Sequence, residues 1–500
     1  MSSNPSGLDE VLRLTDPETR IGWTEDDLAR MRESATTMAK HLAGGEEVYG
    51  VTRGFGPLVA FPAAESAGAQ GEGLISHLGS AQGEPLSAEV SRLVVALRII
   101  SMRRGHSAVD VDFWKGLVDL WNRGFTPVIP CEGTVSASGD LQPLASAALS
   151  LAGRGEAWVR EGGSGFRRVA STEALALLGA EPVRWTAREA LAFVNGSGVG
   201  LALTLHNLKR IADAVRAVAL LTSRMAELLG ANPQAYSEGI AKARGQVGQA
   251  VVAGWIREGL TPGAVRDPSR PLQEPYSLRC APQVLGAVAD QLSAAELILL
   301  REAGGTTDNP VSVAGEILHG GNFHAMPVGL ASDQLGLCLQ QVAFLADRQL
   351  SLLCASETNG GLPPMLTPIP GAGSGLAGVQ ISATSFVSRI RQLVTPSSLT
   401  ALPCNNGNQD HVPVALNGAN SVAQAVELAW LVVGSLGVGL AQLAAILGRR
   451  EESGIWSRVA ELSPPLDRDR PLAAEVRAVR DVLAAEAAAR AGAWRLPDLS

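Results

Sequence analysis

The sequence predicts a mainly α-helical protein, with a long central helical bundle and a smaller N-terminal part of mixed structure. Several long stretches repeat apolar residues every three or four positions, which is the spacing of a helix that buries one face. Strand signals are few and short; one is EAWVREGG, which could pair in a hairpin. The chain has 500 residues, of which 46% are hydrophobic and 18% charged, as in a globular protein with a large core.

Four stretches define the predicted bundle. In the first, LALTLHNLKRIADAVRAVALLTSRMAELLG, apolar residues such as Leu201, Leu205 and Leu208 share one face, and the pattern stops at Gly230. The other three are QVLGAVADQLSAAELILL, SDQLGLCLQQVAFLADRQLSLLC and ANSVAQAVELAWLVVG. We therefore predict two domains, an N-terminal domain over 1-200 and a central and C-terminal helical bundle over 201-500.

Composition and charge exclude several classes of function. The net charge is -8, and no run of Lys or Arg is long enough to bind nucleic acid. The 5 cysteines are far apart and lack a CxxC pair, so we expect reduced thiols in a cytoplasmic protein rather than disulfides. The N-terminus lacks the pattern of a signal peptide. No carboxylate or Cys completes a metal site with His319 or His324, so no metal is expected.

One segment keeps a membrane alternative open. The uncharged stretch from Ala429 to Gly448 is long enough to cross a bilayer. It stands alone and contains Gln442 and several glycines, and a helix that is apolar all round equally suits the centre of a large bundle. We therefore favour the bundle and expect no membrane association.

A run of small residues precedes a predicted helix in GTVSASGDLQPLASAALSLAG. Here the amide nitrogen of Gly139 could reach the carbonyl carbon of Ala137, because glycine permits the necessary dihedral angles and alanine crowds the approach least. Ring closure with loss of water, including the Ser138 hydroxyl, would leave an exocyclic methylene beside a carbonyl, which is an electrophile. A helix that begins around Asp140 or Leu141 would direct its positive end at this group.

Simpler interpretations remain open on the tripeptide alone. Ser138 or Asp140 could cap a helix with Pro143 in its first turn. The Gly-x-Ser-x-Gly pattern of serine hydrolases is absent, and NGSGVG lacks the context of a nucleotide-binding loop.

Two of the 3 tyrosines, Tyr49 and Tyr276, lie in Gly- or Pro-rich loops. A tyrosine with the ordinary pKa of about 10 is a poor base at neutral pH. Helix N-termini and the guanidinium of Arg279 would lower that pKa, so we expect a tyrosine that is activated as a base.

Six motifs in order resemble the aromatic amino acid ammonia-lyase and 2,3-aminomutase family, which includes histidine, tyrosine and phenylalanine ammonia-lyases. They are YGVTRGFG, SASGDLQPLA, FVNGSG, QEPYSLRCAPQ, GNFHA and NQDHV, and they run from about Tyr49 to His411. The resemblance implies a helical fold like that of histidine ammonia-lyase and a homotetramer whose active sites are built from three chains. It also implies a prosthetic group, 4-methylidene-imidazol-5-one (MIO), which forms autocatalytically from Ala137-Ser138-Gly139.

The resemblance further implies roles for individual residues. Tyr49 would remove the β-proton of the substrate, and Tyr276 would be the second active-site tyrosine. Arg279 would bind the substrate carboxylate through a two-pronged pair, and Asn195 would hydrogen-bond the prosthetic group or that carboxylate. Phe323 would line the pocket beside the electrophile.

Two segments would select the substrate side chain. In the family, the position of His77-Leu78 selects the side chain of the substrate. A histidine at this position resembles the tyrosine- and histidine-directed members. Gln409 stands where histidine-directed members carry a Glu, and Asn405 and Asn408 resemble the tyrosine class. We therefore expect ammonia elimination from, or a 2,3-amino shift on, an L-aromatic amino acid, with L-tyrosine as the first choice.

Three segments depart from the family pattern and leave alternatives open. Glu274 replaces an Asp, Thr52-Arg53 replaces a small polar pair in the tyrosine loop, and Pro413-Val414 replaces Ser-Met. The alternatives are a histidine ammonia-lyase and an MIO enzyme for a non-aromatic amino acid. From another class, a non-catalytic helical scaffold or a membrane-associated protein also stays open.

Overall fold

The computed structural model describes residues 7–161, 165–449 and 453–498. Within them α-helix is the main secondary structure, so the predicted mainly α-helical fold class is confirmed. In chain order the α-helices are α1 (Leu8–Leu12), α2 (Glu25–Ala43), α3 (Ala67–Leu78), α4 (Ala88–Arg103), α5 (Val111–Asn122), α6 (Leu141–Leu151), α7 (Ser171–Leu178), α8 (Ala187–Val194), α9 (Gly198–Leu229), α10 (Glu238–Arg244), α11 (Val247–Glu258), α12 (Tyr276–Arg279), α13 (Ala281–Gly304), α14 (Met326–Cys354), α15 (Ala377–Leu393), α16 (Ala415–Ile446), α17 (Gly454–Leu462) and α18 (Ala473–Ala489).

The strands of the described residues are short. They are β1 (Gln82–Pro85), β2 (Thr126–Pro127), β3 (Pro130–Glu132), β4 (Glu156–Arg160), β5 (Phe166–Ala170), β6 (Val311–Val313) and β7 (Glu316–Leu318). They pair antiparallel as β1-β3, β2-β4-β5 and β6-β7. The hairpin predicted from EAWVREGG is confirmed, since EAWVR is β4 and pairs with β5. Gly162 and Gly163 of that stretch lie outside the described residues.

The four apolar-periodic stretches form the long helices α9, α13, α14 and α16, which confirms that prediction. Among the described residues, α13 and α16 are long and apolar enough to cross a membrane. The apolar segment that begins at Ala429 falls largely within α16. This judgement rests only on the length and the composition of the helices. In α16, 72% of the apolar stretch is buried inside the protein. A buried core helix passes the same test, so the finding is weak support for a membrane span.

The chain divides into two compact units, and each is discontinuous in sequence. The first comprises Met1–His206, Glu296–Asp333 and Pro396–Asn420. The second comprises Asn207–Ala295, Gln334–Thr395 and Ser421–Ser500. The division into domains at residue 200 stays a prediction.

The core of the first unit is built around α4, in which every residue except Glu89 is buried. From α5, the indole N–H groups of Trp114 and Trp121 each donate to a backbone carbonyl of α4, those of Ile99 and Arg92, at 3.0 Å. These bonds satisfy the polar atoms of two large buried rings. The first unit therefore offers a rigid frame for the loops that carry the candidate site.

Candidate active site

A cavity of about 930 Å³ lies in the first unit and brings together most of the residues that the sequence singled out. Those in its lining are Tyr49, His77, Leu78, Ala137, Ser138, Gly139, Asn195, Asn405 and Gln409. Phe323 and Asn408 are not among the described residues that line it, and the roles given to them stay predictions. Tyr276 and Arg279 belong to the second unit.

The tripeptide lies in a strained, tightly packed turn. Ser136 just before it has φ +56° and Gly139 has φ +75°, both in the left-handed region that favours glycine. A Cβ added to Gly139 would lie well under 3.0 Å from the backbone of Gly196, so only glycine fits there. Ala137 is buried against Val412 and Val414. The space around Gly139 therefore requires a glycine, whatever the chemistry of the tripeptide.

Two helices begin beside the tripeptide. Helix α6 starts at Leu141 with Asp140 as its N-cap residue, which confirms the predicted helix start. The Asp140 side chain makes no cap bond to α6; it accepts the backbone N–H groups of Val199 and Gly200, at 3.0 and 2.7 Å, in the first turn of α9. Its other oxygen accepts the hydroxyl of Ser136 at 2.7 Å. Burial raises the pKa of the Asp140 carboxyl, and these three donors oppose that rise.

Asn195 lies at the C-terminal end of α8 and reaches the tripeptide. Its Nδ2 donates to the carbonyl oxygen of Ser138 at 2.9 Å. Its Oδ1 is buried and has no hydrogen-bond partner among the described residues. An unsatisfied buried acceptor costs free energy, so this oxygen is a place where a ligand N–H is expected to bind.

Arg98 of α4 supports the loop that carries Asn195, and the sequence analysis missed it. Its guanidinium is fully buried and donates to the carbonyl of Phe193 at 3.0 Å and to the hydroxyl of Thr307 at 2.7 Å, and also to the carbonyl of Ala192. Desolvation lowers the pKa of Arg98 to about 10. Arg98 therefore caps the C-terminus of α8 with a positive charge. The sequence does contain a signal for this role, since Arg98 is the one charged residue in the apolar stretch VVALRII.

The loop from Cys404 to Gln409 contacts the Ser138 hydroxyl of the tripeptide. Gln409 Nε2 donates to Ser138 Oγ at 3.0 Å, and Gln409 Oε1 accepts the thiol of Cys404 at 3.1 Å. The backbones of Cys404 and Gln409 are also joined by two hydrogen bonds, of 3.0 and 3.3 Å. Cys404 is a second residue that the sequence analysis missed, and nothing in its spacing pointed to this contact.

The environment of Tyr49 corrects one expectation. Burial raises the pKa of Tyr49, and the N–H of Gly56, which donates to the phenolic oxygen at 2.8 Å, opposes this rise without reversing it. The nearby cation Arg53 is paired with Glu47. The expected lowering of the pKa was therefore wrong for Tyr49, because desolvation of the phenolate outweighs the nearby donor.

His77 presents a defined hydrogen-bonding group to the cavity. Its Nδ1 lies 3.0 Å from the carbonyl oxygen of Gly73. Since a carbonyl can only accept, Nδ1 carries a proton in this contact, which leaves Nε2 as the nitrogen that can accept in that tautomer. The ring of Phe55 lies 6.4 Å away, centroid to centroid. His77 and Phe55 are both among the residues that line the cavity.

In the second unit, Tyr276 and Arg279 lie on the short helix α12. The guanidinium carbon of Arg279 lies 4.8 Å from the centre of the Tyr276 ring. Arg279 lines a cavity of about 380 Å³, and its buried Nε has no partner among the described residues. Glu274 forms a two-pronged buried ion pair with Arg270, at 2.9 and 2.6 Å, and so leaves Arg279 to other anions.

Comparison with known proteins identifies the family of the chain. The profile of the family described as "Aromatic amino acid lyase" matches residues 7–462. A histidine ammonia-lyase from Paracidovorax citrulli is 36% identical over 478 residues, which cover 92% of this chain and 91% of that protein. The histidine ammonia-lyase of Aromatoleum aromaticum is 35% identical over 468 residues, 91% of this chain and 88% of that protein.

Among solved structures, tyrosine aminomutase from Streptomyces globisporus superposes with a TM-score of 0.90 at 28% sequence identity, over 100% of this chain and 98% of that one. Family profile, relatives and fold agree over nearly the whole chain. The chain therefore belongs to the aromatic amino acid lyase family, and it is an ammonia-lyase or an amino acid 2,3-aminomutase.

Proposed function

We propose that this chain forms MIO from Ala137-Ser138-Gly139 and uses it in ammonia elimination from, or a 2,3-amino shift on, an L-aromatic amino acid, with L-tyrosine as the preferred substrate. One observation carries the proposal. A single cavity is lined by the tripeptide, the phenol of Tyr49 and the amide of Asn195.

The residues around the tripeptide fit the proposed group. Gly139 lies against Gly196 so closely that no side chain has room, so the residue whose nitrogen would close the ring carries no Cβ. The carbonyl of Ser138, which such a ring would retain, already accepts the Nδ2 of Asn195. The free Oδ1 of Asn195 remains as an acceptor beside it. Tripeptide and neighbours thus suit both the formation of the ring and its binding.

Once formed, the group supplies an electrophile for the substrate. The residues of the chain do the rest. Tyr49 takes the β-proton on its phenolic oxygen, and the Gly56 N–H at 2.8 Å stabilises the phenolate that accepts it. The free Oδ1 of Asn195 accepts an N–H of the substrate amino group, and Arg279 binds the carboxylate.

The preference for tyrosine rests on the two ends of the selectivity pocket. His77 Nε2 is an acceptor for the phenol O–H of the substrate, because Nδ1 donates to Gly73. Gln409 offers no carboxylate, and its amide oxygen is already bonded to the thiol of Cys404. A charged imidazole ring would therefore find no anion there.

Histidine is a second candidate because the two relatives described above are histidine ammonia-lyases at 35–36% identity. The acceptor on His77 would also accept an imidazole N–H. The lack of a carboxylate at Gln409 supports our choice of tyrosine over histidine.

We also propose a cytoplasmic homotetramer in which other copies complete the site. Tyr276 is 71% exposed, and the buried Nε of Arg279 has no hydrogen-bond partner in the part of the chain that the structure describes. A neighbouring copy that supplies these two groups would account for both. All five cysteines are free, as reducing surroundings would keep them.

Shared sites can be tested by mixing two inactive subunits. Tyr49→Phe and Arg279→Met chains, each inactive alone, should regain part of the wild-type rate when co-expressed, because some sites then receive both intact residues. Co-purified hybrids without activity would contradict shared sites, and light scattering should give the mass of a tetramer.

The substrate is tested by kcat/KM for L-tyrosine, L-phenylalanine and L-histidine. Arylacrylate products are followed by absorbance, and β-amino acids by chromatography, which separates lyase from aminomutase. We expect tyrosine to be preferred. If the protein prefers histidine, histidine is the substrate in place of tyrosine. If matured protein converts none of the three amino acids, the substrate is a non-aromatic amino acid.

A further inference from the structure

Gln409 makes a hydrogen bond that only the unmodified tripeptide can accept. Its Nε2 donates to Ser138 Oγ at 3.0 Å. In the proposed prosthetic group this oxygen is gone, because it leaves as water while the group forms. This contact therefore belongs to the precursor, whatever Gln409 does later for the substrate.

We propose that Gln409 promotes the loss of the Ser138 hydroxyl and so acts in the maturation of the enzyme, an inference that rests on the proposed function. The step is a β-elimination within one residue. The Cα–H bond of Ser138 breaks, and its electron pair becomes the second bond between Cα and Cβ. The Cβ–Oγ bond breaks with its pair on Oγ. The released proton and hydroxide together make one water, so no other reactant enters.

The chain places a hydrogen-bond donor at each end of this elimination. Asn195 Nδ2 donates to the Ser138 carbonyl at 2.9 Å, and so makes the neighbouring Cα–H more acidic. Gln409 Nε2 donates to the oxygen that leaves, where negative charge develops. Fixed donors aimed at developing charge are an effective form of catalysis in a water-poor site. Ser138 is partly buried, which limits competition from solvent.

Cys404 sets which end of the Gln409 amide faces the hydroxyl. Its thiol donates to Oε1 at 3.1 Å, so the N–H end is left for Ser138. The two backbone hydrogen bonds between Cys404 and Gln409 hold the loop closed. With no donor at position 404, the amide could turn and present its oxygen to the hydroxyl instead. Cys404 is therefore a positioning residue for Gln409.

The test follows the mass of the peptide that contains the tripeptide during cell-free synthesis of the full chain. Gln409→Leu keeps the size of the side chain and removes the donor. Its loss of the second water should be at least ~10-fold slower than in the wild type, the scale of a donor to a developing charge. A peptide one water below its sequence mass, with the Ser138 hydroxyl still present by fragmentation, should build up.

Controls keep the outcome specific. Asn406→Gly removes an exposed amide from the same loop, at a φ of +55° that glycine tolerates, and should mature at the wild-type rate. Cys404→Ala should slow maturation as Gln409→Leu does, and Cys404→Ser, which restores a donor, should recover it. This pair also carries the test if Gln409→Leu does not fold. Maturation of folded Gln409→Leu at the wild-type rate, or equal rates for Cys404→Ala and Cys404→Ser, would overturn the proposal.

The result is separable from a failure of the proposed function. If the wild-type peptide never loses two waters, no prosthetic group forms and the proposed function itself is wrong. If the wild type matures and Gln409→Leu matures equally fast, only the role of Gln409 is wrong.

Discussion

Gly139→Ala should damage both the fold and the maturation of the site. The added Cβ would lie well under 3.0 Å from the backbone of Gly196, and backbone atoms cannot swing aside as a side chain can. Forced overpacking typically costs about 1–3 kcal/mol. A left-handed φ of +75° adds about 1–2 kcal/mol for an alanine. We therefore expect a loss of about 2–5 kcal/mol in the free energy of unfolding.

Gly245→Ala is the matched control for the backbone cost. Gly245 has φ +79°, close to that of Gly139, and an added Cβ would meet nothing within 4 Å. The free energy of unfolding of Gly245→Ala should fall by only ~1–2 kcal/mol, which is the cost of a left-handed dihedral angle for an alanine. Urea denaturation of the two variants measures the difference, and peptide mass reports maturation. Equal stability of the two variants, with Gly139→Ala fully matured, would refute the steric account of this glycine.

Four further predictions concern catalysis and specificity. Tyr49→Phe should lower kcat at least ~100-fold with the fold intact, and a near-normal kcat would rule Tyr49 out as the base. Because burial raises the pKa of Tyr49 and the base is the phenolate, wild-type kcat/KM should rise with pH from 7 to beyond the ordinary tyrosine value of about 10; a flat profile would contradict this assignment. His77→Phe should raise the ratio of kcat/KM for phenylalanine to that for tyrosine by roughly tenfold or more. An unchanged ratio would show that His77 does not select the substrate side chain. Gln409→Glu should raise activity on histidine per matured subunit, which peptide mass counts, and no rise would exclude this position as a selector.

The elements that sequence reasoning predicted are those governed by local pattern. The spacing of Leu201, Leu205 and Leu208 indicates a helix because one face must be buried, and α9 is that helix. The start of α6 after a run of small residues could be predicted for the same reason, since capping and chain flexibility are local properties.

Contacts between distant parts of the chain could not be predicted in this way. Gln409 and Ser138 are 271 positions apart, and no periodicity reports that their side chains meet. The resemblance to the family identified both residues as candidates, but it implied only a role in substrate binding for Gln409. The support that Arg98 gives to the Asn195 loop depends in the same way on how α4 and α8 pack.

The pKa of Tyr49 could not be predicted because it depends on a balance of opposing effects. From the sequence we expected helix N-termini and the cation Arg279 to lower this pKa, and Arg53 is a second cation close to Tyr49 in the chain. Only the structure shows that Arg53 is paired with Glu47 and that burial of the phenol is the larger effect.

The most direct test of the account is the mass of the peptide that spans Gly133 to Gly153 in purified, active protein. If Ala137-Ser138-Gly139 forms the prosthetic group, this peptide is two waters lighter than its sequence, and Ser138→Ala, which has no hydroxyl to lose, is inactive. A peptide at full sequence mass in active protein, or undiminished turnover by Ser138→Ala, would contradict the central claim.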